Sequence, residues 1–127
     1  MSYEAERASI EGRLNDNWST TAIAYENVDF DPPNDTAWVR LSILNGESRY
    51  RTVNNGKRHT GVISVQLFVP RNSGTNTARN YADTLAGIFD NSNFSGIICR
   101  TASIFTQSLE DEWLQLNINI PFWRDEL

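Results

Sequence analysis

A single cysteine and a single histidine among 127 residues remove several classes of protein at once. Cys99 has no second cysteine for an intramolecular disulfide, and with only His59 there is no Cys/His set for structural zinc. No segment approaches the roughly 18 consecutive apolar residues of a membrane-spanning helix, and "MSYEAERASIEGRL" has no apolar run behind a basic start. The expectation is a soluble chain with no membrane contact. Basic residues are also in deficit, eleven Lys and Arg against sixteen Asp and Glu, for a net charge of −5. That balance argues against a sequence-independent grip on nucleic acid, which works by neutralising phosphates.

Recognisable sites of chemistry are scarce too. The sequence has no phosphate-cradling glycine loop, dinucleotide fingerprint or metalloprotease helix motif. A nucleophile needs a base beside it, and Cys99 with His59 is the one pair available. Cys99 lies in the apolar run "GIICR", where a thiol packs as a small hydrophobe. "LEDEW" concentrates Glu110, Asp111 and Glu112, but on a solvated turn their pKa values have no cause to separate into acid and base. "DFDPPND" carries Asp29, Asp31 and Asp35, a weak divalent-cation candidate without the glycine and terminal glutamate of a calcium loop. The sequence therefore assigns no catalytic residue, no cofactor and no metal.

What is present is strand and helix pattern for one domain over residues 1–127, long enough to bury roughly two thirds of its unfolded surface. Residues 2–17 read as a helix, with Ser2 as N-cap, Glu4 and Glu6 at the positive end of the dipole, and Tyr3, Ile10, Leu14 and Trp18 at helical spacing. A short strand around Ala22 to Tyr25 precedes an elbow at Pro32 and Pro33. Thr36 to Leu44 alternates Val39, Leu41 and Ile43 against Trp38, Arg40 and Ser42. Val62 to Val69 alternates Ile63, Val65, Leu67 and Val69 against Ser64, Gln66 and Phe68, and the two predict a hairpin.

Residues 77–90, capped by Thr75 or Asn76, carry the clearest helical stripe, namely Ala78, Tyr81, Ala82, Leu85, Ile88 and Phe89. "IICRTASIF" and "WLQLNINIPF" complete the set as two further strands. The prediction is an α+β fold in the order α-β-β-β-α-β-β. It has a largely antiparallel or mixed sheet of about five strands and two helices packed on one face.

Two surfaces stand out. The sheet face away from the helices would carry Trp38, Arg40, Ser42, Ser64, Gln66, Phe68, Gln115, Asn117 and Asn119, polar but thinly charged. Such a face suits either solvent or a subunit contact enriched in Trp, Phe and Arg. The stretch "GESRYRTVNNGKRHTG" gathers Arg49, Arg51, Lys57 and Arg58, four of the eleven basic residues, into what reads as one long polar loop. A stretch this polar between two strands is either a solvated tip or a contact surface.

The order and phrasing of "SYEAERASIEGRL", "VDFDPPNDTAWVRLSIL", "HTGVISVQLFVPRNSGTNTARNYADTLAGIF" and "WLQLNINIPFWRDE" resemble the tail terminator proteins of long-tailed bacteriophages, the lambda-type group. The resemblance covers nearly the whole chain. It implies a non-enzymatic virion protein that forms a hexameric ring on the last layer of the tail tube. The ring would stop tube polymerisation and present a surface to a head-side connector, while DNA passes through its lumen without specific binding. It also implies assembly in the host cytoplasm and a final position at the head-proximal end of the tail. The basic stretch matches the family's connection between its second and third strands. In such a ring Arg49, Arg51, Lys57 and Arg58 are expected to meet carboxylates of a neighbour or of the tube protein, with Asp29, Asp31, Asp35 or the Glu110 to Glu112 cluster as candidate partners. A head completion or neck adaptor protein of the same connector is the alternative reading, and a hydrolase using Cys99 is a third.

Overall fold

The computed structural model describes residues 1–33, 35–50, 56–71, 75–108 and 113–126. Helix α1 spans Tyr3–Asn17, with Ser2 extended at the N-cap and its hydroxyl accepting from the Ala5 amide, as the sequence predicts. It is followed by β1 (Ala22–Ala24), β2 (Trp38–Tyr50), β3 (Lys57–Pro70), α2 (Thr75–Phe89), β4 (Asn93–Phe94), β5 (Ile97–Cys99), β6 (Ser103–Ser108) and β7 (Trp113–Glu126).

The sheet runs β1-β2-β3-β7-β5-β4, and β6 also pairs with β7. β1 and β2 are parallel, and every other pairing is antiparallel. The α+β class and the two helices agree with the sequence reading, but among the described residues the sheet has seven strands where about five are expected. The stretch "IICRTASIF" is two strands: β5 pairs with residues 122–124 of β7 and β6 with residues 114–119. β4 adds a short hairpin to β5 through Ser95 and Gly96, both left-handed at φ 50° and 82°, which suits the twist of a two-residue turn. α2 begins at Thr75, so Thr75 is helical and is not the cap.

The largest departure is in the basic stretch. Residues 46–50 and 57–61 continue β2 and β3 as an arm, with Arg49 opposite Arg58 and Tyr50 opposite Lys57. β7 runs along its other side, placing Lys57 opposite Glu126 and Arg58 opposite Asp125. After Leu44 the side chains of β2 are all exposed, so no apolar alternation marks the strand. Its pairing is set by β3, whose own alternation extends back to His59. The register slips between Asn45 and Ser48, and the Thr60 hydroxyl donates to the Glu47 carbonyl at 2.8 Å to close the irregularity. Residues 51–55, which include Arg51, and the Glu110, Asp111 and Glu112 cluster lie outside the described residues.

Both helices cover one face. Ile10, Leu14 and Trp18 of α1 and its C-cap, with Ala78, Ala82, Leu85 and Phe89 of α2, pack on Val39, Leu41, Ile63, Val65, Leu67, Leu116, Ile118 and Ile120. Arg13 ties the helices together by donating to the Ile88 carbonyl at 2.7 Å, and Trp18 meets Tyr81 edge-on. Cys99 is buried in this core, and loss of solvent raises its thiol pKa, opposed by a hydrogen bond with Ser92.

Candidate functional site

The hairpin arm carries three of the four cations that the sequence singled out, and two of them, Arg49 and Arg58, already have partners. Arg49 and Arg58 face each other across β2 and β3, an unfavourable like-charge pairing. Each turns to a carboxylate. Arg49 bonds Glu47 at 2.9 Å, and Arg58 makes a bidentate pair with Asp125 at 2.9 and 3.1 Å while its guanidinium stacks 3.9 Å over the Trp123 ring. Lys57 has no carboxylate partner among the described residues and sits 5.8 Å from the Tyr50 ring centre. Among the described residues the expected loop is thus a pleated arm whose most available cation is Lys57.

The outer face differs from the expectation at Trp38. Alternation places it on a face open to solvent or to a subunit contact, yet it is only 6% exposed. Phe68 stacks on it at 4.2 Å with an interplanar angle of 12°, Phe30 of the elbow covers it at 5.1 Å, and the Arg40 guanidinium lies 5.5 Å from its ring. Gln115 is buried as well. The elbow therefore folds back over this face, and Arg40 is the exposed member of the group. Asp29, Asp31 and Asp35 are exposed too. Asp29 and Arg40 line one open cavity of about 520 Å³ with Glu26, whereas Arg49 and Lys57 line another of about 350 Å³ with Tyr3 and His59. Among the described residues no group of three or more His, Cys, Asp and Glu is placed to hold a metal ion.

Sequence reasoning missed a buried polar joint where α1, the arm and β7 meet. Arg124, only 1% exposed, donates through Nε to Glu6 at 2.7 Å and through Nη1 to the Met1 carbonyl at 2.6 Å and Glu126 at 3.3 Å. Asn45 of β2 donates to the second Glu6 oxygen at 2.9 Å. On the arm, His59 is buried, with Ser48 at 2.6 Å and Tyr3 at 3.2 Å from its Nδ1, and Glu126 at 3.9 Å from its Nε2. The signal was available in both elements: Glu6 heads the stripe Glu6, Ile10, Leu14, Trp18, and Arg124 continues the inward alternation of Ile118, Ile120 and Phe122. This joint fixes the root of the arm to the helix.

A family model described as "Phage tail terminator protein" matches residues 7–122. One solved structure is similar at 22% identity and TM-score 0.76, over 100% of this chain and 97% of that one, a likeness of fold. No curated protein matches.

Proposed function

The chain belongs to the phage tail terminator family, and from that premise we propose that it forms a hexameric ring on the head-proximal end of the tail tube. There it ends polymerisation and offers a face to the head-side connector. The family assignment alone gives a phage tail structural protein located in the virion. The observation that carries the finer reading is the family match over residues 7–122. The fold supplies what such a ring requires. A closed cyclic contact is heterologous, so each subunit needs two different complementary surfaces, and the chain has a cationic arm on one strand pair and an exposed acidic elbow before β2. Lys57, Arg49 and Arg40 are the cations proposed to meet Asp29, Asp31 and Asp35 of a neighbour, or carboxylates of the tube protein. Arg58 acts by shaping the arm through Asp125, and Arg51 belongs to the same proposal by sequence position. Exposed pairs of this kind set register and orientation more than affinity. An acidic ring also leaves DNA free to slide through.

The test is electron microscopy with light scattering on tails that have never met a head. Added protein is expected to place one terminal disc on each tube and stop its growth. Tubes that keep growing, with the protein binding only head-side connectors, would assign it to the neck instead.

A further inference from the structure

Among the described residues β1, the two-residue β4 and β6 each have a strand partner on one side only, and β2 runs past β1 beyond Arg40. β7 is covered by β6 over residues 114–119, by β5 over 122–124, and between them by the Arg100 amide donating to the Pro121 carbonyl at 2.8 Å. β5 is covered by β4, with the Cys99 amide donating to the Ser92 carbonyl at 2.8 Å. Beyond β1, the Ile43 amide of β2 is taken by the Glu26 carboxylate at 2.9 Å. The Ala102 amide just before β6 is taken by Asp90 at 2.7 Å. Among the described residues nothing bonds the outer edge of β6, and at the opposite end of the sheet β1 has a partner on one side only.

Of these edges β6 lacks the usual protection, while β1 and β4 have only their shortness. Natural edge strands are blunted by Lys, Pro, bulges or brevity, because an unpaired row of amides and carbonyls recruits another strand. β6 reads SIFTQS and β1 reads AIA, with no charge and no proline in either. β6 exposes Ile104 at 39% and Phe105 at 54%, neighbours that point to opposite faces. A partner lying on one face would cover one of them. A partner that prolongs the sheet sideways covers both.

The register shows which strand fits. Ala24 is opposite Arg40, Arg40 opposite Gln66, Gln66 opposite Asn117, and Asn117 opposite Phe105, so β1 and β6 stand at the same height on the two sides of the sheet. Strand direction is shared by β1 and β2, reversed in β3, restored in β7 and reversed again in β6. Rotation about an axis along the strands preserves direction, so β1 of a second copy meets β6 antiparallel, the commoner pairing. We propose that β6 of one subunit pairs with β1 of the next, joining the sheets edge to edge around the ring. This rests on the ring reading above and adds the surface through which neighbours join.

Variants with one added cysteine test it in mixtures, which restrict any cross-link of interest to different chains. Ile23→Cys protein is mixed with Thr106→Cys or with Ile104→Cys protein, assembled, and oxidised, with wild type and its buried Cys99 as the blank. Disulfide-linked heterodimers are expected in at least one mixture, since bridging needs Cα atoms within about 7 Å. Rings without cross-links in either mixture would overturn edge pairing and leave the ring reading intact. No ring from wild type on tubes would overturn the ring reading, and this inference with it. In parallel, Phe105→Lys should keep the monomer's melting temperature and raise the concentration for half-assembly about tenfold or more. Unchanged assembly by that variant would also overturn the pairing.

Discussion

Arg124 and Asp125 are consecutive residues of β7, each in an ion pair, and the pleat sends them to opposite faces. Arg124 points under α1, where its side chain is 1% and that of Glu6 2% exposed. Asp125 points outward to Arg58, with side chains 22% and 37% exposed. The same chemistry therefore has different consequences one residue apart. Inside, each charge depends on the other, because desolvation costs several kcal/mol per ion. Outside, water screens the pair, and what the bidentate geometry supplies is the fixed position of Arg58 over Trp123.

The sharpest way to break this comparison is to remove one inner partner. Arg124→Met leaves Glu6 buried without its cation and also releases the Met1 carbonyl, for an expected loss of about 3 to 5 kcal/mol in chemical denaturation. The double variant Glu6→Met/Arg124→Met removes both charges and should recover most of that loss. If Arg124→Met unfolds no earlier than Asp125→Ala, the distinction between the two faces is wrong.

A second, smaller effect comes from the boundary between the joint and the apolar core. Gly61 lies opposite Phe122 on the inward row between His59 and Ile63. A Cβ there would stand 2.8 Å from the Phe122 ring and 2.9 Å from the Leu44 carbonyl oxygen. Gly61→Ala must displace backbone as well as ring, so about 1 to 3 kcal/mol of destabilisation is expected, read as a lower denaturation midpoint. A neutral result would mean that the inner row is loosely packed at the joint.

How far the sequence reveals these features follows from the range of the interactions. Ser2 capping α1, the stripe of α2 and the alternation of β2, β3 and β7 are local patterns, and each element appears close to where its pattern lies. The arm is not local. Residues 46–50 hold strand geometry because β3 pairs with them, and β3 is held in turn by β7 from the far end of the chain. Period alone therefore reads the stretch as a loop. The joint is more remote still, since Glu6 and Arg124 are separated by 118 positions. Each sits on an inward-facing position that its own element predicts, and only the fold brings the two together. The burial of Trp38 is illegible for the same reason: alternation places it on the outer face, and the elbow that covers it is irregular chain.

On the outer side the comparison is sharpened with salt. Arg58→Ala should lower the thermal midpoint far less than Arg124→Met. Most of that difference from wild type should disappear as ionic strength rises, because a half-exposed pair is screened within a Debye length of about 8 Å at physiological salt. A salt-independent loss would point instead to the guanidinium stack on Trp123 as the main contact.

The smallest expected effect lies at Glu126, which touches the buried joint from a position 35% exposed. Its carboxyl is held below the ordinary glutamate range, chiefly by the hydrogen bond from Arg124, against desolvation and with help from the N-terminal ammonium, His59 and the Arg124 charge. A folded pKa below the unfolded one stabilises the native state above the unfolded value, about 4.3, and that contribution is lost as pH falls through the folded value. Glu126→Gln should therefore melt slightly below wild type at neutral pH, and the two curves should converge in acid. A gap of constant size from neutral pH into acid would show that Glu126 acts through packing, leaving the charge of the joint to Glu6 and Arg124 alone.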